Sequence, residues 1–234
     1  LTFAAAQSYF VVFRNKPKAV LKGGNQPTIQ STVDLEKGWD VLFDPAWGGP
    51  TGAVRFDQLE DWSQRPEAGI KYYSGTAVYR KLFDAPATTV AAAAVSLSLG
   101  TVHSIASVHL NGRDLGVVWT APWSVAIPPN LLQVRGNKLE IRVTHTWANR
   151  LIGDEQENAD QMWAPGHMGG TYMKEFPDWF LKNEKRPSEK RFCFTTWNYF
   201  TKSSQLLPSG LLGPVQLAIE DWSQPIKLAL PPPP

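Results

Sequence analysis

The chain holds a single cysteine, Cys193, in 234 residues. An internal disulfide is therefore excluded, and the fold must rest on packing and hydrogen bonds. Cys193, between Phe192 and Phe194, reads as a small buried hydrophobe. No apolar run approaches the ~20 residues of a membrane helix, so no membrane partner is expected. No excess of one charge stands out either. The formal net charge is +2, and lysines and arginines are scattered rather than gathered into the stripe that nucleic-acid binding needs. The densest basic group (Lys182, Lys185, Arg186, Lys190, Arg191) alternates with Glu184 and Glu189 and reads as a solvated loop. The opening stretch LTFAAAQSYFVVFRNK has no charged region ahead of its apolar part, so it does not read as a signal peptide. It also lacks a starting Met, and the chain reads as a piece of something longer or a processed product. A helical stripe of useful length is missing, as is a nucleophile elbow around any serine. The four histidines show no metal-ligand spacing.

What is present is alternation of period two. In NKLEIRVTHTW, Leu139, Ile141, Val143, His145 and Trp147 face one way, and Lys138, Glu140, Arg142, Thr144 and Thr146 face the other. Trp39, Val41 and Phe43 share a face, as do Val95, Leu97 and Leu99, then Val102, Ala106, Val108 and Leu110, then Trp123, Val125 and Ile127, and finally Val215, Leu217 and Ile219. One apolar and one wet face is the mark of antiparallel sheets. Pro and Gly, 19 and 18 residues, punctuate these runs. The expected fold is all-β, an antiparallel β-sandwich of jelly-roll type with a long loop insertion. Asn111-Gly112 is the tight turn of a hairpin, because both residue types tolerate positive φ. Gly116 marks a bulge or a close backbone approach, and Pro128-Pro129 ends the following strand. Residues 44–76 and 148–213 break the pattern. A stretch as long as the second, held on a rigid scaffold, is expected to carry function. EDWSQ occurs at 60–64 and again at 220–224, without wider similarity, and is read as coincidence. The expected organisation is residues 1–31 as the tail of a preceding domain or an N-terminal strand extension, 32–224 as the sandwich, and 225–234 as a Pro-rich tail.

Several long motifs follow one another in order: FDPAWGGP, FDQLEDWSQRPEAGIKYYSGTAVYRKLF, VHLNGRDLGVVWTAPWSVAIP, GNKLEIRVTHTWANRLIGDE and LLPSGLLGPVQL. Across roughly residues 32–222 the chain resembles the C-terminal β-sandwich of bacterial α-L-rhamnosidases of glycoside hydrolase family 106. That sandwich is related to the sugar-binding domain of family 2 glycosidases and to galactose-binding-like jelly rolls. Residues 155–195 depart from the family's spacing. In that family catalysis belongs to a separate α/β barrel. The resemblance therefore implies a non-catalytic accessory module of a plant-polysaccharide-degrading enzyme, with no catalytic residue of its own. The implied partners are a poly- or oligosaccharide and the parent's catalytic domain, and the expected location is secreted or periplasmic.

Sugar binding needs flat apolar faces for pyranose C–H surfaces and planar polar side chains for the hydroxyls, in a site that is largely preformed. Trp39, Trp123 and Trp147 fall on apolar faces and are expected in the core. Trp119 follows the hairpin and is open to either role. Trp163, Tyr172, Trp179 and Trp197 lie in the long insertion, as does Tyr199, and are candidates for ligand contact or for anchoring the loop. Asn149, Arg150 and Asp154, just after a strand end, could form a polar lip, with Glu155, Glu157 and Asp160 beyond them. The same cluster admits a calcium site, since hard cations want gathered oxygens, or a loop held by Arg150 ion pairs. No EF-hand spacing supports calcium, and no other cofactor is expected. His167, in APGHMGG, is the one histidine in a loop suited to function. Catalysis by the chain itself would need two converging carboxylates, for which Glu60, Asp61, Glu175 and Asp178 are the candidates.

Overall fold

A strand forms wherever the alternation is cleanest. The computed structural model describes residues 2–3, 7–10, 25–166 and 170–223. In chain order its strands are β1 (Thr28–Asp34), β2 (Trp39–Leu42), β3 (Ala53–Phe56), β4 (Thr76–Phe83), β5 (Val95–Ser98), β6 (Thr101–His103), β7 (Ile105–Leu110), β8 (Arg113–Val118), β9 (Ser124–Ile127), β10 (Asn137–Thr144), β11 (Trp163–Pro165), β12 (Thr171–Met173), β13 (Trp197–Asn198), β14 (Gly210–Gly213) and β15 (Gln216–Asp221). Four short helices intervene: α1 (Ala68–Lys71), α2 (Ala87–Val90), α3 (Ala148–Asp154) and α4 (Asp178–Leu181). Residues 28–31, grouped with the N-terminal segment on sequence, belong to a strand of the sandwich.

A six-stranded sheet, β3-β2-β4-β10-β7-β8, faces a four-stranded sheet, β1-β15-β5-β9. The named strands pair antiparallel throughout. The fold is thus the all-β sandwich expected from alternation. Its core lies between the sheets, with Val41, Tyr79, Ile141, Val143 and Val108 from the larger and Leu97, Val125 and Leu217 from the smaller, all buried, and Leu99 just past β5 joins them. Alternation fixes this register, because a slip of one residue would turn the whole apolar set outward.

Residues 44–76, irregular on sequence, supply much of the aromatic core. Trp62 and Tyr73 are fully buried beside Phe43, Phe56 and Tyr79. Trp62 stacks on Tyr79 and its Nε1 donates to the Tyr79 hydroxyl at 2.6 Å. The backbone N–H of Leu211 donates to the same hydroxyl at 3.1 Å. Burial pushes the Tyr79 phenol well above its ordinary range, so it stays neutral and available to these donors.

The hairpin forms as read. Asn111 and Gly112 have φ of 51° and 80° between β7 and β8. Gly116 has φ of 102°, and the β7–β8 register shifts beside it. Strand β9 stops at Ile127, ahead of Pro128-Pro129.

Three expectations are corrected. Trp147 is 49% exposed rather than in the core. The ladder ends at Thr144, so the alternation that pointed Trp147 inward no longer applies, and its ring meets Trp47 edge-on at 5.0 Å instead. The basic run is not a solvated loop throughout. Arg191 is buried and Arg186 largely so, because both pair with carboxylates of residues 155–160. Cys193 is only partly covered, although burial still raises its thiol to about 11. Trp39 is fully buried as expected, and Trp123 packs partly buried against the core.

Candidate functional site

Where β10 ends, the chain turns into α3, and this helix fastens the long insertion to the sandwich. Asn149 acts like one more rung of a ladder. Its Nδ2 donates to the Leu207 carbonyl at 2.8 Å and its Oδ1 accepts from the Leu207 N–H at 2.8 Å. Arg150 is buried and its Nε donates to Asp154 Oδ1 at 2.9 Å, one helical turn on. The other oxygen of Asp154 accepts from the backbone N–H groups of Phe192 and Cys193, at 3.0 and 2.7 Å. Two further pairs continue the clasp: Arg191 with Glu155 at 2.5 Å, and Arg186 with Asp160 at 2.5 Å. The arginines also donate to the carbonyls of Glu157, Arg191 and Cys193. Such pairs are specific because guanidinium and carboxylate match as planar forks. The geometry is that of a loop held by ion pairs. Among the described residues no three His, Cys, Asp or Glu side chains gather as metal ligands would.

The clasp carries a small sheet, β11-β12-β13. Ala164 pairs with Tyr172, and Tyr172 pairs with Trp197. Directly paired residues lie on the same face of a sheet. Tyr172 and Trp197 are therefore neighbours on one face, 47% and 50% exposed, and Lys174 and Tyr199, just past the strand ends, are exposed too. A Cβ on Gly170 would lie 2.7 Å from Trp197 Nε1, so the indole rests against bare backbone there. The opposite face, with Trp163, Met173 and Asn198, is more covered. The Trp163 Nε1 is buried without an acceptor among the described residues.

Trp179 has a different setting. It is half-buried, donates through Nε1 to the Asp160 carbonyl at 3.1 Å, meets Phe194 edge-on and lies under Arg186. Phe194 stacks on Phe180, which stacks on Phe176. This is the insertion's own small core. An open groove of about 780 Å3 runs beside it, lined by Met162, Glu175, Phe176, Asp178 and Leu181.

Of the remaining site candidates, Trp119 is the most open, 72% exposed at the end of β8. His167 lies outside the described residues. Glu60 pairs with Arg65 at 2.5 Å. Asp61 caps the turn at residues 62–64 and accepts from the Ser209 N–H. Both are therefore tied into the scaffold. Asp178 pairs with Lys182, and Glu175 lines the groove. The structure thus brings Tyr172 and Trp197 together, and separately Asn149, Arg150 and Asp154. Sequence reasoning missed that the first pair is set by strand register, since strands of two and three residues are too short to show alternation.

The sandwich is similar to part of a rhamnosidase. The solved rhamnosidase of Novosphingobium sp. PP1Y superposes over 92% of this chain with a TM-score of 0.62 and 28% identity. A protein of Formosa agariphila provisionally named a beta-glucuronidase is 41% identical over 193 residues, 82% of this chain. A β-glucuronidase of Ruminococcus gnavus matches 51% of the chain at a TM-score of 0.42, too loose for any argument to rest on it. No protein-family model matches the chain. The chain spans 16% of the length of both the Formosa protein and the Novosphingobium rhamnosidase. It therefore corresponds to one domain-sized part of proteins named as glycoside hydrolases.

Proposed function

We propose that the chain is a non-catalytic, glycan-binding accessory module of a glycoside hydrolase acting on plant polysaccharide, with an α-L-rhamnosidase of family 106 as the parent type. The observation that carries the reading is the Tyr172–Trp197 pair, two half-exposed aromatic residues paired in register on one face of a sheet that the α3 clasp fastens. Adjacent flat rings suit the C–H face of a pyranose, and a preformed platform lowers the ordering cost of binding. Asn149 and Asp154 then act through position, by fixing the insertion. The ordered motifs and the likeness to a rhamnosidase support the parent type. An accessory role is supported by the small share of each relative that the chain spans and by the scaffold roles of Glu60 and Asp61. The ligand is a poly- or oligosaccharide, and the location is secreted or periplasmic, where such substrates lie. Depletion of the chain by a panel of soluble and insoluble plant polysaccharides, with released sugar measured in parallel, tests this. Binding without release is expected. Turnover abolished by one carboxylate substitution within this chain would overturn it.

A second reading, packing on the parent's catalytic domain, is favoured by a specific patch. Ile105, Val117 and Trp119 are exposed on the outer face at the β7–β8 edge. Exposed apolar clusters of this kind often mark an interface.

A further inference from the structure

Arg150 has more donors than the clasp uses. Its side chain is only 6% exposed. A guanidinium carries five N–H donors, and Nε spends one on Asp154. Among the described residues neither terminal nitrogen has an acceptor, and neither is sealed from solvent. Arg150 helps to line a cleft of about 320 Å3 bounded also by Gly48, Gly69, Tyr72, Gly153 and Phe192. Leaving charged donors unmatched in a nearly buried side chain is costly.

The glycines let the walls of the cleft pack closely around the guanidinium. A Cβ on Gly153 would lie 2.4 Å from Arg150 Nη2 and 2.5 Å from Tyr72 Cβ, and one on Gly69 would lie 2.7 Å from the Gly48 carbonyl. Phe192 lies against the guanidinium at 4.9 Å and holds its plane. Asp154 offsets the guanidinium charge from the Nε side, with one oxygen on Nε and the other on two backbone N–H groups, which leaves the terminal N–H groups to other acceptors. Two opposite charges share the mouth, Lys190 and Glu157, and neither side chain has an ion pair among the described residues.

We propose that this cleft binds the carboxylate of a sugar acid, with the terminal nitrogens of Arg150 as a bidentate donor and Lys190 as a second cation. A planar fork of parallel N–H donors matches a carboxylate better than it matches a hydroxyl. The choice of a sugar rests on the glycan reading above, whereas the carboxylate rests on Arg150 alone. The site is distinct from the Tyr172–Trp197 platform.

Titration of the chain with glucuronate and galacturonate, against glucose, galactose and acetate, tests this by calorimetry or NMR shifts. Saturable binding of a uronate is expected, tighter than acetate, with the neutral sugars not binding at the same concentrations. Arg150→Lys should weaken it at least tenfold. Lys190→Glu should weaken it and Glu157→Gln strengthen it, both without moving the melting temperature. These two rim variants decide the matter if Arg150→Lys does not fold. Equal binding of neutral and acidic sugars, uronate binding indifferent to both rim variants, acetate bound as tightly as a uronate, or no uronate binding would each overturn the proposal. Loss of polysaccharide binding in Tyr172→Ala, with uronate binding intact, would separate the two sites.

Discussion

At the residue scale, single positions do more than their local pattern announces. Asn111 was legible as a turn residue, and its φ agrees. Its amide also donates to the Leu131 carbonyl at 2.8 Å and to Asn137 Oδ1 at 3.0 Å, and accepts from the Lys138 N–H at 2.8 Å. That long-range role has no signature in the sequence, because it depends on which loop passes the turn. Gly112 is simpler. At φ of 80° with open space around it, a β-branched replacement meets backbone strain rather than a clash. Gly112→Val should cost roughly 1–3 kcal/mol in chemical denaturation. The tryptophans separate by position: Trp62→Ala should cost about 3–5 kcal/mol, as loss of a large buried ring does, whereas Trp147→Ala should cost well under half of that. Equal losses would refute the placement of Trp147 outside the core. His145 adds a pH dependence. It is buried with neither ring nitrogen partnered among the described residues, and burial lowers its pKa below the ordinary value. The unfolded chain then takes up a proton near pH 6.5 while the folded one resists it. Stability is full above that pH and falls as the pH drops from about 6.5 toward the folded value. Urea melts from pH 7.5 to 5 should show the decline, and His145→Gln should flatten it.

At the element scale, long strands announce themselves and short ones do not. The eight residues of β10 show four alternations and the six of β7 show three, so the sandwich was readable. In the insertion the strands run two or three residues, and their order comes from α3 and its ion pairs. Residue types in ANRLIGDEQENAD suggested ion pairing by Arg150, but its partner in the helix and the matching of Arg186 and Arg191 to acids 25–40 residues away required the fold. The clasp makes a prediction of its own. Asp154→Asn leaves Arg150 buried without its carboxylate, and breaking such a pair costs about 3–5 kcal/mol. Hydrogen exchange should quicken in residues 171–198 while β4, β10 and β7 stay protected. Uniform quickening across the sandwich would mean that α3 belongs to the core's cooperative unit instead.

At the scale of the whole molecule, a rigid two-sheet body presents an insertion whose outer surface is aromatic and whose inner surface is bound by charge. The sandwich holds α3, α3 ties down the insertion, and the insertion displays Tyr172 and Trp197. The resemblance visible in the ordered motifs agrees with the similarity to part of a rhamnosidase, yet the face these two rings share could be found only from their register. The most direct test of the account is therefore binding of the best polysaccharide from the depletion panel to wild type, Tyr172→Ala, Trp197→Ala and Trp119→Ala, each with a melting curve. The account predicts that the first two variants lose at least tenfold in affinity, on the order of 1.4 kcal/mol, while melting close to wild type, and that Trp119→Ala binds normally. Full binding by folded Tyr172→Ala and Trp197→Ala would contradict it and put the packing role of the Ile105–Val117–Trp119 patch first.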